Sequence, residues 1–187
     1  MKLLQYVAAE KKIIYLDETN FNIWISRNYG WSKAGQRAVD TNTSEAANET
    51  VRAMLRDQAT RGPLGNIVVV LDNAPCHTNV EDVFEEPEFA EAECLRLGPY
   101  SPMLNGIENV FSVYKAAVKR YMAANRSRIL SVPEGTTITA HRSSFLLHAA
   151  NVIFQEVVTP ALCSKCIHHT FAFIADAILM KDMQVGK

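Results

Sequence analysis

Two apolar runs in this sequence each end in an aspartate. The first is Lys12 to Asp17 (KIIYLD) and the second is Asn66 to Asp72 (NIVVVLD). Unbroken apolar runs of this length are typical of strands that are covered on both faces of a sheet. Because ligands of open α/β sheets gather beyond the carboxyl ends of the strands, the two aspartates would lie side by side if these strands are neighbours.

The chemistry that such a pair supports is the binding of a divalent cation. Two converging carboxylates repel each other unless a cation lies between them, and oxygen ligands suit Mg²⁺ or Mn²⁺. The connection between the two strands contains a helical pattern, which can supply the right-handed crossover of a parallel pair. Each aspartate can also cap the turn that follows its strand, and the sequence leaves this alternative open.

A third acid, Glu108, lies near the start of a helix that we predict from Gly106 to Ala124. Asn105 and Glu108 have the N-x-x-E spacing of a capping box, in which both side chains bond the backbone at the helix start. Glu108 also shares a helix face with Lys115 and Lys119, an arrangement that would suit a metal beside a phosphate backbone. The spacing alone favours the cap.

The elements that must position these acids follow from hydrophobic periodicity and turn residues. They predict one α/β domain, with an acidic helix that is split near Pro87 and C-terminal helices that are interrupted at Pro160. The predicted strands are residues 12–17, 66–72 and 94–97. Residues 21–26 can extend the first strand, and a glycine-containing loop follows at residues 28–36. The predicted helices are residues 43–58, 80–93, 106–124 and most of the chain after a turn at 133–135. The predicted buried stripe of the third helix is Ile107, Phe111, Tyr114, Val118 and Tyr121.

The composition fits one compact domain. Of the 187 residues, 48% are hydrophobic and 21% are charged, which excludes the disordered and low-complexity classes. The apolar stretches are too short for a bilayer, and the N-terminal segment lacks the cleavage site of a signal peptide. We therefore expect an intracellular protein without a membrane partner, in which the four cysteines are reduced thiols.

Acidic and basic residues are unevenly distributed along the sequence, although the formal charge is only −1. Between Glu81 and Glu93 the sequence holds seven carboxylates and no base, so the rest of the chain carries a charge of +6. A basic face can therefore exist despite the near-zero total, although a solvated helix face is the alternative interpretation. The clearest basic cluster lies on and just after the third predicted helix and consists of Lys115, Lys119, Arg120, Arg126 and Arg128.

A second group of metal-ligand types lies near the C-terminus. Cys163, Cys166, His168 and His169 crowd into seven residues of one helical stretch, with no second, distant pair. Structural zinc sites usually join two separated knuckles. We therefore favour buried helical thiols with partly exposed histidines, and a zinc site is the alternative.

Three blocks of the sequence carry a family resemblance. In order they are Y-L-D-E-T-N-F-N with G-W-S-x-x-G-Q-R, then V-L-D-N-A-P-C-H, then P-Y-S-P-x-L-N-x-I-E-N-V-F-S-x-Y-K. Together they resemble the DDE catalytic domain of mariner-type transposases and of their bacterial insertion-sequence relatives. The blocks span Ile13 to about Met122, and the 35 residues between Asp72 and Glu108 are typical of that superfamily. The resemblance implies a ribonuclease H-like fold and the catalytic, metal-binding triad Asp17, Asp72 and Glu108.

The implied chemistry is phosphoryl transfer at DNA ends. Two Mg²⁺ or Mn²⁺ ions on the triad would support hydrolysis of a phosphodiester and then attack of the freed 3′-hydroxyl on target DNA. The implied partners are transposon ends and target DNA, with Lys115, Lys119 and Arg120 as phosphate contacts and a homodimer as an open expectation. Asn73 and His77 resemble family positions that flank the site, and we predict supporting roles for them. Turn stabilisation and a surface or helix-capping histidine are the alternatives.

The sequence departs from the family in ways that predict an impaired enzyme. Only 16 residues precede Asp17, so we expect no helix-turn-helix for reading terminal repeats, and nothing between Val39 and Thr43 can supply the family's β-hairpin. Gly106 and Met103 also stand where the family usually has proline and an acid. We predict a ribonuclease H-like domain over residues 1–125 that lacks the antiparallel hairpin strands, with residues 126–187 as its helical extension.

Two other functions remain open. One is a catalytically inactive, transposon-derived remnant that binds DNA or protein. The other is a Mg²⁺-dependent phosphatase with a strand-end aspartate as nucleophile, although Thr19 stands where such an enzyme has a second aspartate. Metal-dependent nicking of DNA would distinguish the transposase-type enzyme from the inactive remnant and from the phosphatase. If the source is a eukaryote, we expect the protein in the nucleus.

Overall fold

The strands of this protein form one small parallel sheet. The computed structural model describes residues 2–17, 43–98, 101–179 and 181. Its strands are β1 (Lys12–Tyr15), β2 (Ile67–Leu71) and β3 (Glu93–Arg96). They pair in the order β1-β2-β3, with Tyr15 opposite Val70 and Leu71 opposite Arg96. The three predicted parallel strands are confirmed, each to within two residues at its ends.

Helices make up most of the other described residues. They are α1 (Lys2–Ala8), α2 (Thr43–Ala59), α3 (Glu81–Glu85), α4 (Gly106–Ala124), α5 (Arg126–Leu130), α6 (Ile138–His148), α7 (Phe154–Val157) and α8 (Pro160–Ile178). A π-helical turn, Ala149–Ile153, joins α6 to α7. The predicted bounds of α4 are confirmed, as are the break before Pro160 and a turn at Gly135, whose φ of +79° suits glycine. None of the described helices is long and apolar enough to cross a membrane by itself, and only the pair 138–157 and 160–178, bent by 76°, passes that test together.

The acidic segment differs from its prediction. It is helical only over Glu81–Glu85, and the predicted second half up to residue 93 is not a helix. Glu86 is extended (φ −64°, ψ 133°) because the ring of Pro87 disfavours a helical residue before it. Beyond the proline, the Phe89 N–H bonds the Glu86 carbonyl and the Ala92 N–H bonds the Phe89 carbonyl. In these successive turns the Phe89 side chain is completely buried.

The described residues group into two units by packing. The first comprises residues 2–17, 43–98, 101–105, 170–179 and 181. Its central strand, β2, is buried along its whole length, and its alternate side chains enter two different apolar clusters. Val69 packs with Val51 and Leu55 of α2, whereas Val68 packs with Leu3 of α1. The predicted coverage of this strand on both faces is therefore confirmed.

The second unit comprises residues 106–169. Its core joins Tyr114 of α4 to Ala149 and Ile153 of the π-helical turn, and the Tyr114 hydroxyl donates a hydrogen bond of 3.1 Å to the backbone carbonyl of Ala150. The buried stripe of α4 is wider than predicted, because it includes further residues beside the expected ones. Phe111, Tyr114 and Val118 are buried as predicted, Val110 and Ala117 are buried in addition, and Ile107 and Tyr121 are half-buried.

Some predictions stay untested by this fold. The strand extension at 21–26 and the shortened connection between Val39 and Thr43 fall in residues 18–42, which lie outside the described part of the chain. The predicted division into residues 1–125 and 126–187 also stays a prediction, since grouping by packing does not decide where a functional domain ends.

Replacing Leu55 by alanine tests the packing of α2 on the sheet. The side chain of Leu55 is fully buried, so its loss leaves a cavity and should lower the free energy of unfolding by about 2–5 kcal/mol. Urea denaturation followed by circular dichroism measures this change. The control is Leu179→Ala in the same unit, which removes a side chain that is 63% exposed and should change stability by less than about 0.5 kcal/mol. Equal effects of the two substitutions would contradict the described core.

Candidate metal centre

The parallel pairing of β1 and β2 brings Asp17 and Asp72 together. Leu16 continues the ladder by donating its N–H to the Val70 carbonyl at 3.0 Å, so both strands deliver an aspartate at the same edge of the sheet. Asp17, Asp72 and His77 each offer one ligand atom, and these atoms all lie within 4.8 Å of one another. Among the described residues, this is the one cluster of three such side chains that could hold a metal ion.

A tight turn after β2 fixes the second aspartate. One carboxylate oxygen of Asp72, Oδ1, accepts hydrogen bonds from the Ala74 N–H at 2.9 Å and from Nδ1 of His77 at 2.7 Å. Asn73 donates from Nδ2 to the Leu97 carbonyl at 2.6 Å, which ties the end of β2 to the end of β3. Asp72 therefore does cap its turn, as the alternative interpretation required, and it does so while facing Asp17. The supporting role at the site that we predicted for Asn73 stays a prediction.

The placement of His77 corrects its alternative interpretation. It is neither a surface residue nor a helix cap, because its side chain is completely buried and contacts the carboxylate of Asp72. An ionised carboxylate can only accept, so Nδ1 of His77 carries the proton of this bond. His77 also belongs to the metal-ligand cluster, which the sequence argument did not expect. The signal that could have found it is Pro75, since Pro75–His77 forms a 3₁₀ turn that carries the histidine back toward Asp72.

Arg96, at the end of β3, forms hydrogen bonds with the backbone of this turn. Its guanidinium donates to the backbone carbonyls of Asp72, at 3.3 Å, and of His77, and it pairs with the carboxylate of Glu81 at the start of α3. The hydrogen bond from Arg96 lowers the pKa of Glu81, and the same bond raises the pKa of Arg96. Sequence reasoning missed this residue, because its partners lie 15 to 24 residues earlier and follow no periodic pattern.

Asn105 restrains Asp17 by a hydrogen bond, as the turn after β2 restrains Asp72. Its side chain is 2% exposed, and Nδ2 donates to Oδ2 of Asp17 at 3.1 Å. A helix cap would need Oδ1 of Asn105 as an acceptor, yet this buried oxygen has no hydrogen-bond partner in the part of the chain that the structure describes. The capping-box interpretation is therefore wrong for Asn105. Leaving a buried amide oxygen unpaired costs about 1–3 kcal/mol, so the position of Asn105 lowers stability at this oxygen while its Nδ2 restrains Asp17.

The other predicted site residues lie on α4, in the second unit. Glu108 is exposed in the first turn of the helix, and its place beside the two aspartates stays a prediction. Lys115 is half-buried with its ammonium 6.0 Å from the ring centroid of Phe111, and Lys119 and Arg120 are exposed. Their predicted role in DNA binding also stays a prediction.

The charges of the two units differ in how they are paired. In the first unit, the acidic segment neutralises cations from several elements, through the pairs Lys11–Glu93, Arg52–Glu86, Arg56–Glu88 and Arg96–Glu81. In residues 106–169 there are seven bases and three acids, a net charge of +4. Within the described ranges, none of the five cations from 115 to 128 has a carboxylate within ion-pair distance. The predicted basic surface is thus a property of α4 and α5.

The cysteines and the C-terminal histidines form no second cluster of this kind among the described residues. None of the four cysteines is in a disulfide. Burial raises the pKa of the Cys94 thiol to about 11 and also raises the pKa of Cys166. Cys166 is buried and His168 and His169 are exposed, which agrees with the interpretation that we favoured for this stretch of α8.

Comparison with known families decides what kind of domain carries this geometry. Residues 40–130 match the family of DDE superfamily endonucleases. This segment is a DDE-type, transposase-like domain. Asp72 and Glu108 of the DDE-type domain fall inside the matched residues, and Asp17 precedes them. No curated protein and no solved structure matches the chain.

The donor set of the DDE-type domain fits a divalent cation. Two carboxylates and one imidazole converge on a small volume, and members of such endonuclease families typically use divalent metals. Carboxylate oxygens suit Mg²⁺ and Mn²⁺ alike, whereas an imidazole nitrogen suits transition metals better than Mg²⁺. The cluster therefore fits Mn²⁺ at least as well as Mg²⁺.

Substitution of Asn105 tests whether this residue positions Asp17 for a metal. A cation that binds the folded state should raise the melting temperature, and Asp72→Asn should remove this gain. Residues that orient a ligand typically contribute about 10- to 100-fold to metal affinity. In Asn105→Ala, the Mn²⁺ concentration that gives half of the full thermal shift should therefore rise by about tenfold or more.

The matched control for this experiment is Asn48→Ala. Asn48 lies on α2, outside the cluster, and it also has a buried Oδ1 without a hydrogen-bond partner among the described residues. Circular dichroism shows whether each variant folds. If Asn105→Ala and Asn48→Ala have the same Mn²⁺ midpoint as the unchanged protein, Asn105 does not position a metal ligand.

Proposed function

We propose that this protein is a transposase-type DNA endonuclease, which cleaves phosphodiester bonds with the help of divalent cations and joins the freed end to target DNA. The observation that carries the proposal is the convergence of Asp17 and Asp72 at the carboxyl ends of two neighbouring parallel strands. The small parallel sheet is compatible with a ribonuclease H-like fold, which we propose for the DDE-type domain.

In this proposal Asp17 and Asp72 hold the metal, and Glu108 supplies a third carboxylate because it occupies the acidic position of the family motif. Two divalent cations, when bound, supply Lewis-acid polarisation of phosphoryl oxygens and a bound water of lowered pKa. The chain's own residues set the geometry, since Asn105 restrains Asp17 while Ala74 and His77 restrain Asp72. Such restraint matters because catalytic groups must lie within about 0.5 Å of their productive positions.

DNA binding belongs to the basic surface of the second unit. Lys115, Lys119 and Arg120 have no carboxylate partner among the described residues, so their charges remain available to phosphates. Contacts to phosphates fix the position of DNA but carry no sequence information. We therefore propose binding that depends on charge and not on base sequence. Because DNA is the proposed substrate, the proposed location is intracellular, and nuclear in a eukaryote.

We further propose that the chain's activity is low. The connection between Val39 and Thr43 is too short for the antiparallel hairpin that packs beside the first strand in the resembled family. Asp17 would then lack the flanking strand pair that packs beside the first strand in that family. Slow nicking that is favoured by Mn²⁺ is the expected activity, with little strand transfer.

The nicking of supercoiled plasmid tests the catalytic part of this proposal. The protein should convert plasmid slowly to the open circle in Mn²⁺ and more slowly in Mg²⁺, and Asp72→Asn should reduce the rate to the level without metal. The control is Asp82→Asn, the same change at an exposed carboxylate that has no ion pair in the described ranges. A protein that binds DNA but never nicks it in either metal would instead be the non-catalytic remnant.

Removal of two lysines tests the binding part. Each phosphate contact contributes about 0.9 to the slope of log affinity against log salt, so Lys115→Gln with Lys119→Gln should lower the slope by about 2 and weaken binding to all duplexes alike. Fluorescence anisotropy with two unrelated duplexes measures this. The control replaces Arg56 and Arg61, whose charges are neutralised by Glu88 and Asp57. Tight binding to one duplex that survives moderate salt would contradict the proposal.

A further inference from the structure

An open surface pocket of about 380 Å³, called the cavity below, lies in the second unit between the end of α4, α5 and α6. Its volume falls in the range of small-ligand sites, roughly 300–1,000 Å³. Its lining includes no residue of the metal cluster and none of Lys115, Lys119 and Arg120, the three cations named for phosphate contacts, although Arg128 belongs to the same basic surface. The lining residues are Tyr121, Arg128, His141, Ser144, Phe145 and His148.

Four of these residues have flat rings, and the rings are arranged in two contacting pairs. The rings of Tyr121 and His148 have centroids 5.7 Å apart and are tilted by 35°. The rings of His141 and Phe145 meet edge to face, with centroids 5.2 Å apart. Half-buried or exposed rings at a cavity wall offer stacking surfaces to a planar ligand, and all four line this one cavity. The walls therefore fit a planar aromatic group.

The charge in the cavity comes from Arg128. Its guanidinium carbon lies 5.5 Å from the ring centroid of Phe145, and Nη1 donates to Oδ1 of Asn125 at 3.0 Å. No carboxylate of the described residues pairs with it. A guanidinium that rests on a ring and keeps its charge can bond the oxygens of a phosphate in a fixed geometry. Arg128 thus adds an anion site to the aromatic walls.

The frame of the cavity is fixed by hydrogen bonds. Nε2 of His141 lies 3.0 Å from the backbone carbonyl of Arg128, and because a carbonyl only accepts, Nε2 is the donor. This bond ties α6 to α5. Directly after His148 the helix changes to the π-helical turn Ala149–Ile153, a distortion that is frequent at functional sites.

We propose that this cavity binds one unpaired nucleotide of single-stranded DNA, with the base against the rings and a phosphate on Arg128. A base inside a duplex is stacked on both faces and cannot enter, so the site requires a strand that is already open or a base that leaves the stack. The net charge of +4 on residues 106–169 favours a polyanion over a neutral aromatic ligand. The inference rests on the proposed function for the identity of the polymer, but it requires neither the metal nor cleavage.

The experiment compares a labelled single-stranded 12-mer with the duplex of the same sequence, in EDTA and on the Asp72→Asn protein. Fluorescence anisotropy should show that Arg128→Gln and His148→Ala each weaken single-strand binding by about tenfold, which is about 1.4 kcal/mol. The matched control is Arg126→Gln, which removes an exposed cation of α5 that does not line the cavity. It should weaken single strand and duplex equally and only slightly. Circular dichroism checks that each variant folds.

Two further probes separate stacking from charge. A 12-mer with 2-aminopurine at its centre should lose emission on binding to the unchanged protein and should keep it with His148→Ala, because stacking quenches that base. A 12-mer with one central abasic site should bind more weakly than the intact strand. Equal effects of Arg126→Gln and Arg128→Gln, or equal affinity for the abasic strand, would overturn the nucleotide site. Both results are independent of nicking, so failure here and failure of the proposed function are distinguishable.

Discussion

The pairing of β2 with both β1 and β3 is the interaction on which the first unit depends. The central strand is buried along its length and packs with apolar side chains from α1 on one face and α2 on the other. Because all three strands run in the same direction, their carboxyl ends meet at one edge, and this edge receives Asp17 and Asp72. Two carboxylates at that distance repel each other, so a fold that forces them together favours a cation between them.

The site is held by polar contacts that converge from four places in the chain. Asp72 receives a backbone N–H from Ala74 and the imidazole of His77, and Arg96 bonds the carbonyls at both ends of that turn. Asp17 receives the amide of Asn105. The bonds leave the two carboxylates oriented before any ligand arrives, which is the condition for selective binding and for catalysis. The turn cap and the candidate metal ligand are therefore one arrangement of Asp72, and not two competing roles.

The acidic segment explains how a nearly neutral chain has a basic surface. Its carboxylates are used within the first unit, where they pair with cations of α2, β3 and the segment before β1. Residues 106–169 keep a net charge of +4, so the remainder of the chain carries −5. The positive charge of residues 106–169 attracts a polyanion, whereas the acidic segment repels one.

The three strands, the bounds of α4 and the convergence of Asp17 with Asp72 could all be predicted from the amino-acid sequence. These features follow from local patterns, since β-branched runs specify buried strands and a crossover makes them parallel neighbours. The sequence did not predict the length of α3, the burial of His77, or the roles of Arg96 and Asn105. Asn105 bonds an aspartate 88 residues away, and no periodic pattern encodes such a pair. These contacts are visible only in the folded protein, because each depends on which distant backbone segments lie beside a polar side chain once the apolar core has formed.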